Sequence, residues 1–343
     1  MEKDGWKIYS SFSKNENNLM KKKILILGVT GQDGSLLADY LTEKEYQVFG
    51  LIRKSSNRNY DNVKKVINKK NFKFVQGDLL DFISIENIIR KIKPHEIYNF
   101  ADQDHVRWSA QIPNYSFDIT AKSVFNILNL IKIHSPKSKY FQPFSSNMFG
   151  NTKKTKICEN DTFSPLSVYA LSKVTAFHIC EYFKRVHNLK IYGAIFFNHE
   201  SERRTSEYVS RKITQSAVRI FLKKQKNLFL GDINGKIDWG YAKDYVIAAY
   251  KMMQMKKPDF FVIGTGKAHS IEYFVRKSFQ YLNLNYKKYL KIDKKLIRSV
   301  KTRTLVANTK KAKRIFKFYP TTSLDKLIKI MIQNDLKIEK DKG

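Results

Sequence analysis

Ile24-Leu25-Ile26-Leu27-Gly28-Val29-Thr30-Gly31-Gln32-Asp33-Gly34 is the stretch that decides the fold. Four consecutive apolar residues read as a strand buried on both faces. Three glycines at three-residue spacing follow, and a run of helical period opens directly behind them. Glycines let the backbone turn tightly and approach a pyrophosphate, which then rests on the N-terminus of the following helix. A glycine turn alone is a weak signal. Its position between strand and helix makes Gly28, Thr30, Gly31, Gln32, Asp33 and Gly34 a candidate dinucleotide site.

Outward from this stretch the pattern alternates. Short apolar runs that read as strands lie at 24–28, 47–52, 72–76, 96–100, 139–144 and 190–196. Stretches of helical period lie between them at 82–92, with Asp81 as N-cap, and at 118–134 and 167–187. This alternation predicts an α/β protein: a Rossmann-like, doubly wound parallel sheet covered on both faces. Beyond about residue 200 the pattern becomes irregular. Helices are expected near 208–224 and 242–255, and short strands near 228–230 and 260–263. These suit a smaller C-terminal α/β lobe that binds substrate over the carboxyl ends of the strands. The expected division is an N-terminal extension (1–20, with Met20 available as a second translation start), a dinucleotide-binding domain (21–196) and the smaller lobe (197–343), interleaved with the first domain.

The 343 residues contain 64 Lys and Arg against 31 Asp and Glu, a formal net charge of +33. With 42% hydrophobic residues the chain can bury a large core, which excludes a disordered basic protein. The longest apolar runs are too short to span a bilayer. Residues 1–19 are mostly polar with no continuous apolar run, and Cys158 and Cys180 are too few for a disulfide framework, so a soluble cytoplasmic protein is expected. The cations are spread along the whole chain rather than gathered into one stripe, which argues against a nucleic-acid partner. Seven scattered histidines and two isolated cysteines give no metal site.

Three further features carry chemistry. The second strand ends at Ile52-Arg53-Lys54. An acidic residue there would bind a free ribose 2′-hydroxyl, whereas Arg53 accommodates a 2′-phosphate, so NADP is expected, with NAD the alternative. Asp78-Leu79, after the third strand, is placed to lie beside the adenine. Tyr169 and Lys173, four apart on a predicted helix, share one face. The lysine charge is expected to lower the tyrosine pKa towards the working range, so that Tyr169 accepts a hydroxyl proton as hydride leaves the same carbon. Ser145, at the end of the fifth strand, supplies a hydroxyl to hold the reacting oxygen.

The glycine spacing and the Tyr-x-x-x-Lys pair resemble those of the extended short-chain dehydrogenases. Phe197-Asn198-His199-Glu200-Ser201-Glu202-Arg203-Arg204, Tyr208-Val209-Ser210-Arg211-Lys212-Ile213 and Asp238-Trp239-Gly240-Tyr241-Ala242-Lys243-Asp244 narrow this further. Residues 22–335 resemble the GDP-mannose 4,6-dehydratase family, in the nucleotide-sugar epimerase/dehydratase branch. The resemblance implies oxidation of hexose C4, elimination of water across C5 and C6, and return of hydride to C6. It also implies a nucleotide-diphosphate sugar, most readily a GDP-sugar, bound by Asn198, Glu200, Ser201, Arg211, Lys212 and Arg298. In that family the loop that begins at Arg53 reaches a neighbouring subunit, so a homodimer or homotetramer is expected.

Departures from the family pattern bear on the elimination. A glutamate two residues after the catalytic Ser/Thr serves as base in the family, and Asn147 stands at that position here. An amide cannot accept a proton at neutral pH. Asp102 and Asp104, after the fourth strand, stand where the family has small uncharged residues. Replacement of the base by one of them, and a binding or structural role, are both open from sequence. So are a divergent dehydratase and a C4 epimerase or 4-dehydrogenase/reductase. A non-catalytic binding protein is opposed by the retention of Ser145, Tyr169 and Lys173. Ile237 replaces a family arginine beside Lys236, and Lys301 replaces a ribose-binding glutamate.

Overall fold

The computed structural model describes residues 22–55, 60–297 and 303–341. Within them a seven-stranded sheet is built from β1 (Lys23–Leu27), β2 (Gln47–Ile52), β3 (Phe72–Gln76), β4 (Glu96–Asn99), β5 (Lys139–Ser145), β6 (Lys190–Phe196) and β7 (Phe260–Ile263). Its spatial order is β3-β2-β1-β4-β5-β6-β7, and every pairing is parallel. The order reverses between β1 and β4, which opens a crevice at the carboxyl ends of these two strands.

Alternation along β1 shows why both faces need cover. Leu25 and Leu27 join a core with Ile85, Ile89, Ile127, Ile131 and Phe183, from α2 (Phe82–Ile92), α3 (Ser123–His134) and α4 (Val168–Val186). Ile24 and Ile26 join the opposite core, with Leu37 and Leu41 of α1 (Gln32–Glu43) and Val246 and Met252 of α6 (Ala242–Met253). Asp81 caps α2, its carboxylate accepting from the Ile83 amide. The helix expected from residue 118 opens with a π-helical turn, Asp118–Lys122, before α3.

One expectation is corrected. Phe260–Ile263 and the helix before it belong to the main sheet and its cover, not to the smaller lobe. All four residues of β7 are at most 4% exposed and pair with Gly193–Phe196. A continuous apolar run of this kind suits a strand covered on both faces.

The smaller lobe has its own core, in which Ile213 and Ala217 of α5 (Val209–Phe221) meet Trp239, Phe274 of α7 (Ile271–Tyr281) and Leu327, Met331 of α8 (Leu324–Asp341). No helix among the described residues is long and apolar enough to cross a membrane.

Candidate active site

A cavity of about 410 Å³ lies at the crevice, between the strand ends and the smaller lobe. One wall is the glycine turn. Gly28 has φ +78°, and a Cβ there would stand 2.6 Å from the Ala101 nitrogen on β4's exit. A Cβ on Gly34 would stand 2.3 Å from the Gly28 carbonyl oxygen, so turn and helix touch backbone to backbone. Gly34→Ala is therefore expected to destabilise the fold by about 3 kcal/mol. Chemical denaturation checks this, and an unmoved midpoint would count against it.

Gly31 is the N-cap of α1 and no side chain caps that end. The first-turn amides are thus left for an anion, and Gly31, Gln32 and Asp33 line the cavity. Gln32 and Asp33 also bridge to the smaller lobe. Gln32 donates to the His199 carbonyl and accepts from the Ser201 hydroxyl, while Asp33 Oδ2 lies 2.8 Å from His199 Nε2. Burial works against the His199 imidazolium, yet Asp33 more than offsets it and holds the His199 pKa above its ordinary value. Ser201, wholly buried, is a joint between lobes and does not line the cavity.

Ser145, Asn147, Tyr169 and Lys173 line the cavity together with Asp102 and Asp104. Ser167 caps α4 by accepting from the Ala170 amide, which sets Tyr169 in the first turn. Ser145 is close enough to the Tyr169 hydroxyl to pull its pKa down, and Lys173 Nζ lies 5.8 Å from the Tyr169 ring centroid. Lys173, 3% exposed, donates to the Pro143 carbonyl at 2.9 Å and forms a short ion pair with Asp102. Burial acts to lower the Lys173 pKa, but Asp102 and Tyr169 outweigh it and the ammonium is stabilised.

The expected lowering of the Tyr169 pKa is not found. Burial comes first and pushes it up to about 12. Lys173 pulls it down, but Asp102 and Asp104 oppose that pull. Sequence spacing gave the Tyr–Lys pair but not the carboxylate that shares the lysine.

Asp104 is about half exposed, with Oδ2 3.4 Å from Arg204 Nη1. Arg204 was quoted in a motif and given no role, yet it is a centre of the site. It ion-pairs with Glu200 at 3.0 Å and lies flat over Tyr208, its Cζ 3.4 Å from the ring centroid. Burial opposes its charge, but Glu200 and Asp104 raise its pKa further. Asn198 and Glu200 line the cavity, as do Lys236 and Arg303. His105 caps the short helix Val106–Gln111 and packs edge-on to Tyr208.

Arg211 and Lys212, expected at the substrate, do not line this cavity. Arg211 is 4% exposed on the side of α5 that meets α8, where Nη2 lies 2.8 Å from Asp335 Oδ1. Arg53, at the end of β2, is exposed and donates to the Tyr115 hydroxyl. Asp78 accepts from the Leu80 amide and Leu79 is buried. The expectations for Arg298, Lys301 and the N-terminal extension fall outside the described residues. Among the described residues, no group of three or more His, Cys, Asp or Glu is placed to hold a metal ion.

The family model described as GDP-mannose 4,6 dehydratase matches residues 25–331. The chain belongs to that family. GDP-mannose 4,6 dehydratase 2 of Arabidopsis thaliana is 39% identical over 330 residues, covering 93% of this chain and 88% of that protein. Among solved structures, dTDP-glucose 4,6-dehydratase from Bacillus anthracis, in complex with NAD, superposes with a TM-score of 0.82 at 21% identity, covering 93% of this chain and 98% of that one. RMD from Pseudomonas aeruginosa, complexed with NADPH, gives 0.77 at 16% identity, covering 92% and 99%. Family membership gives the Gly28–Gly34 turn and the Ser145, Tyr169 and Lys173 group a common frame.

Proposed function

We propose that the chain is an NADP-dependent enzyme that oxidises C4 of a GDP-linked hexose and, in the manner of its family, carries the sugar on through 4,6-dehydration. The observation that carries this reading is the meeting of Ser145, Tyr169 and Lys173 in the cavity bounded by the uncapped start of α1. The glycine turn supports a bound pyrophosphate, and Arg53 at the end of β2 supports a 2′-phosphate rather than a free hydroxyl. A nicotinamide cofactor held there supplies the hydride acceptor for C4 and the hydride later returned to C6.

Tyr169 takes the C4 hydroxyl proton, and Ser145 holds the same oxygen. The cavity-lining cations Lys236, Arg303 and Arg204 support a sugar carried on a diphosphate. A C4 ketone acidifies the C5 proton; a base removes it and hands it to the departing C6 hydroxyl, which leaves as water with the C5–C6 double bond formed. Asn147 cannot be that base. Asp102 already binds Lys173 and Thr120, and Glu200 binds Arg204. Asp104 also meets Arg204, but at 3.4 Å and with half its side chain exposed against 3% for Glu200, and it is the carboxylate we assign to the C5 proton.

Asn147 also favours a second reading, in which C4 oxidation serves epimerisation or simple reduction and oxidation without loss of water. Incubation with GDP-mannose and related sugars in deuterated water, followed by mass spectrometry and NMR, separates the two. Loss of water with deuterium at C5 is the expected result. C4 inversion or NADPH turnover with an unchanged C5 hydrogen would sink the dehydratase reading.

A further inference from the structure

Asp102 is the charge in this active site that neither the glycine turn nor the Tyr-x-x-x-Lys pair accounts for. Its side chain is 12% exposed and is held from two directions. Oδ2 pairs with Lys173, and Oδ1 accepts a 2.5 Å hydrogen bond from the Thr120 hydroxyl. Thr120 is itself 2% exposed and sits in the π-helical turn Asp118–Lys122. Local π-helical winding is rare in helices and occurs frequently at functional sites. Lys173 is likewise held twice, by Asp102 and by the Pro143 carbonyl. Two of its three N–H donors are therefore committed to groups other than the Tyr169 hydroxyl.

We propose that Asp102 is a positioning residue that clamps Lys173 against the Pro143 carbonyl and, by sharing its charge, sets the protonation of the Tyr169 hydroxyl. A lysine ammonium near a phenol favours the phenolate, and a carboxylate beside that ammonium cancels part of the field. The groups facing Tyr169 come from several elements. Lys173 lies on its own helix, and Ser145 ends β5. Asp102 and Asp104 follow β4, and Tyr208 precedes α5. Tyr140 and Cys180 lie behind the ion pair and are buried. Among these Lys173 is the cation, so the residue that holds Lys173 governs the balance. The pKa direction agrees: Tyr169 is raised, with Asp102 among the causes.

The consequence for turnover rests on Tyr169 being the proton acceptor in C4 oxidation, but the clamp itself does not. Its test is therefore a direct titration. Protein carrying 13C at tyrosine Cζ is followed by NMR from pH 7 to 10.5, with the Tyr169 resonance assigned by its loss in Tyr169→Phe. The wild-type resonance is expected to stay at its phenol position throughout. In Asp102→Asn the same resonance is expected to move measurably toward its phenolate position by pH 10.5, as follows from a fall of about one pH unit on loss of a neighbouring like charge. If that variant does not fold, Asp102→Ala, which also removes the charge, is expected to displace the resonance in the same direction. A Tyr169 titration that is unmoved in the folded variant overturns the proposal, whatever the enzyme does to a sugar. A displaced titration with no C4 oxidation of any sugar would support the clamp and count against the proposed function.

Discussion

Tyr169→Phe is expected to reduce turnover about a thousandfold while leaving the fold intact. The substitution removes one oxygen from a ring already buried at the start of α4, so no cavity opens and packing survives. In the proposed reaction, what is lost is the proton acceptor for C4 oxidation. Positioned general acid–base groups contribute about 10²–10⁴ in rate, and a thousandfold corresponds to about 4 kcal/mol of transition-state stabilisation. Ser145 keeps its position because its hydroxyl also accepts from the Asn147 amide, independently of the tyrosine. The measurement is kcat beside a denaturation curve. A rate within tenfold of the parent enzyme, at unchanged stability, would show that Tyr169 is not the base.

The second large effect concerns stability. Asp238, the first residue of the Asp-Trp-Gly motif, is 1% exposed and accepts hydrogen bonds from three backbone amides: Thr265 at 2.9 Å, Gly266 at 3.0 Å and Ala307 at 3.0 Å. The Thr265 hydroxyl adds a fourth, short one. One carboxylate thus ties the exit of β7 to the two-residue strand Val306–Ala307, which pairs with Lys156–Ile157. Asp238→Ala would leave three amides without an acceptor in a buried place. Each such donor costs about 1–3 kcal/mol, and some relaxation follows, so a loss of about 4 kcal/mol is expected. Urea denaturation reads it directly. A change below about 1 kcal/mol would mean that water or another oxygen takes over the acceptor role.

These two residues show unequal legibility in the sequence. Tyr169 was readable because its chemistry is local: a tyrosine and a lysine four apart on a helix must share a face. Asp238 stood within a recognisable motif, but its work lies in segments distant along the chain. Arg204 was visible in the same way and also unread, because its meaning lies in Glu200, Asp104 and Tyr208 surrounding it at once.

The charge assignments differ most. Arg211 was expected at a phosphate, and the fold sets it against Asp335 of the last helix. Burying a guanidinium beside a carboxylate requires both helices in place, and nothing near residue 211 announces residue 335. The spacing predicts a Tyr169 that ionises readily beside Lys173; burial, with Asp102 adding to it, reverses the direction.

Strand periodicity, the glycine spacing at 28–34 and the Tyr–Lys spacing are properties of short segments, so the sequence alone determined the parallel sheet, the glycine turn and the shared face of Tyr169 and Lys173. It also put an amide, Asn147, two residues after Ser145, where no proton can be accepted at neutral pH. Only the tertiary structure decided that Phe260–Ile263 closes the main sheet, that Ser201 and His199 join the lobes, and which anion each buried cation faces. The physical reason is range. Backbone turns and hydrophobic periods are fixed within a few residues, whereas a buried charge takes its state from whatever the fold brings within a few ångströms of it.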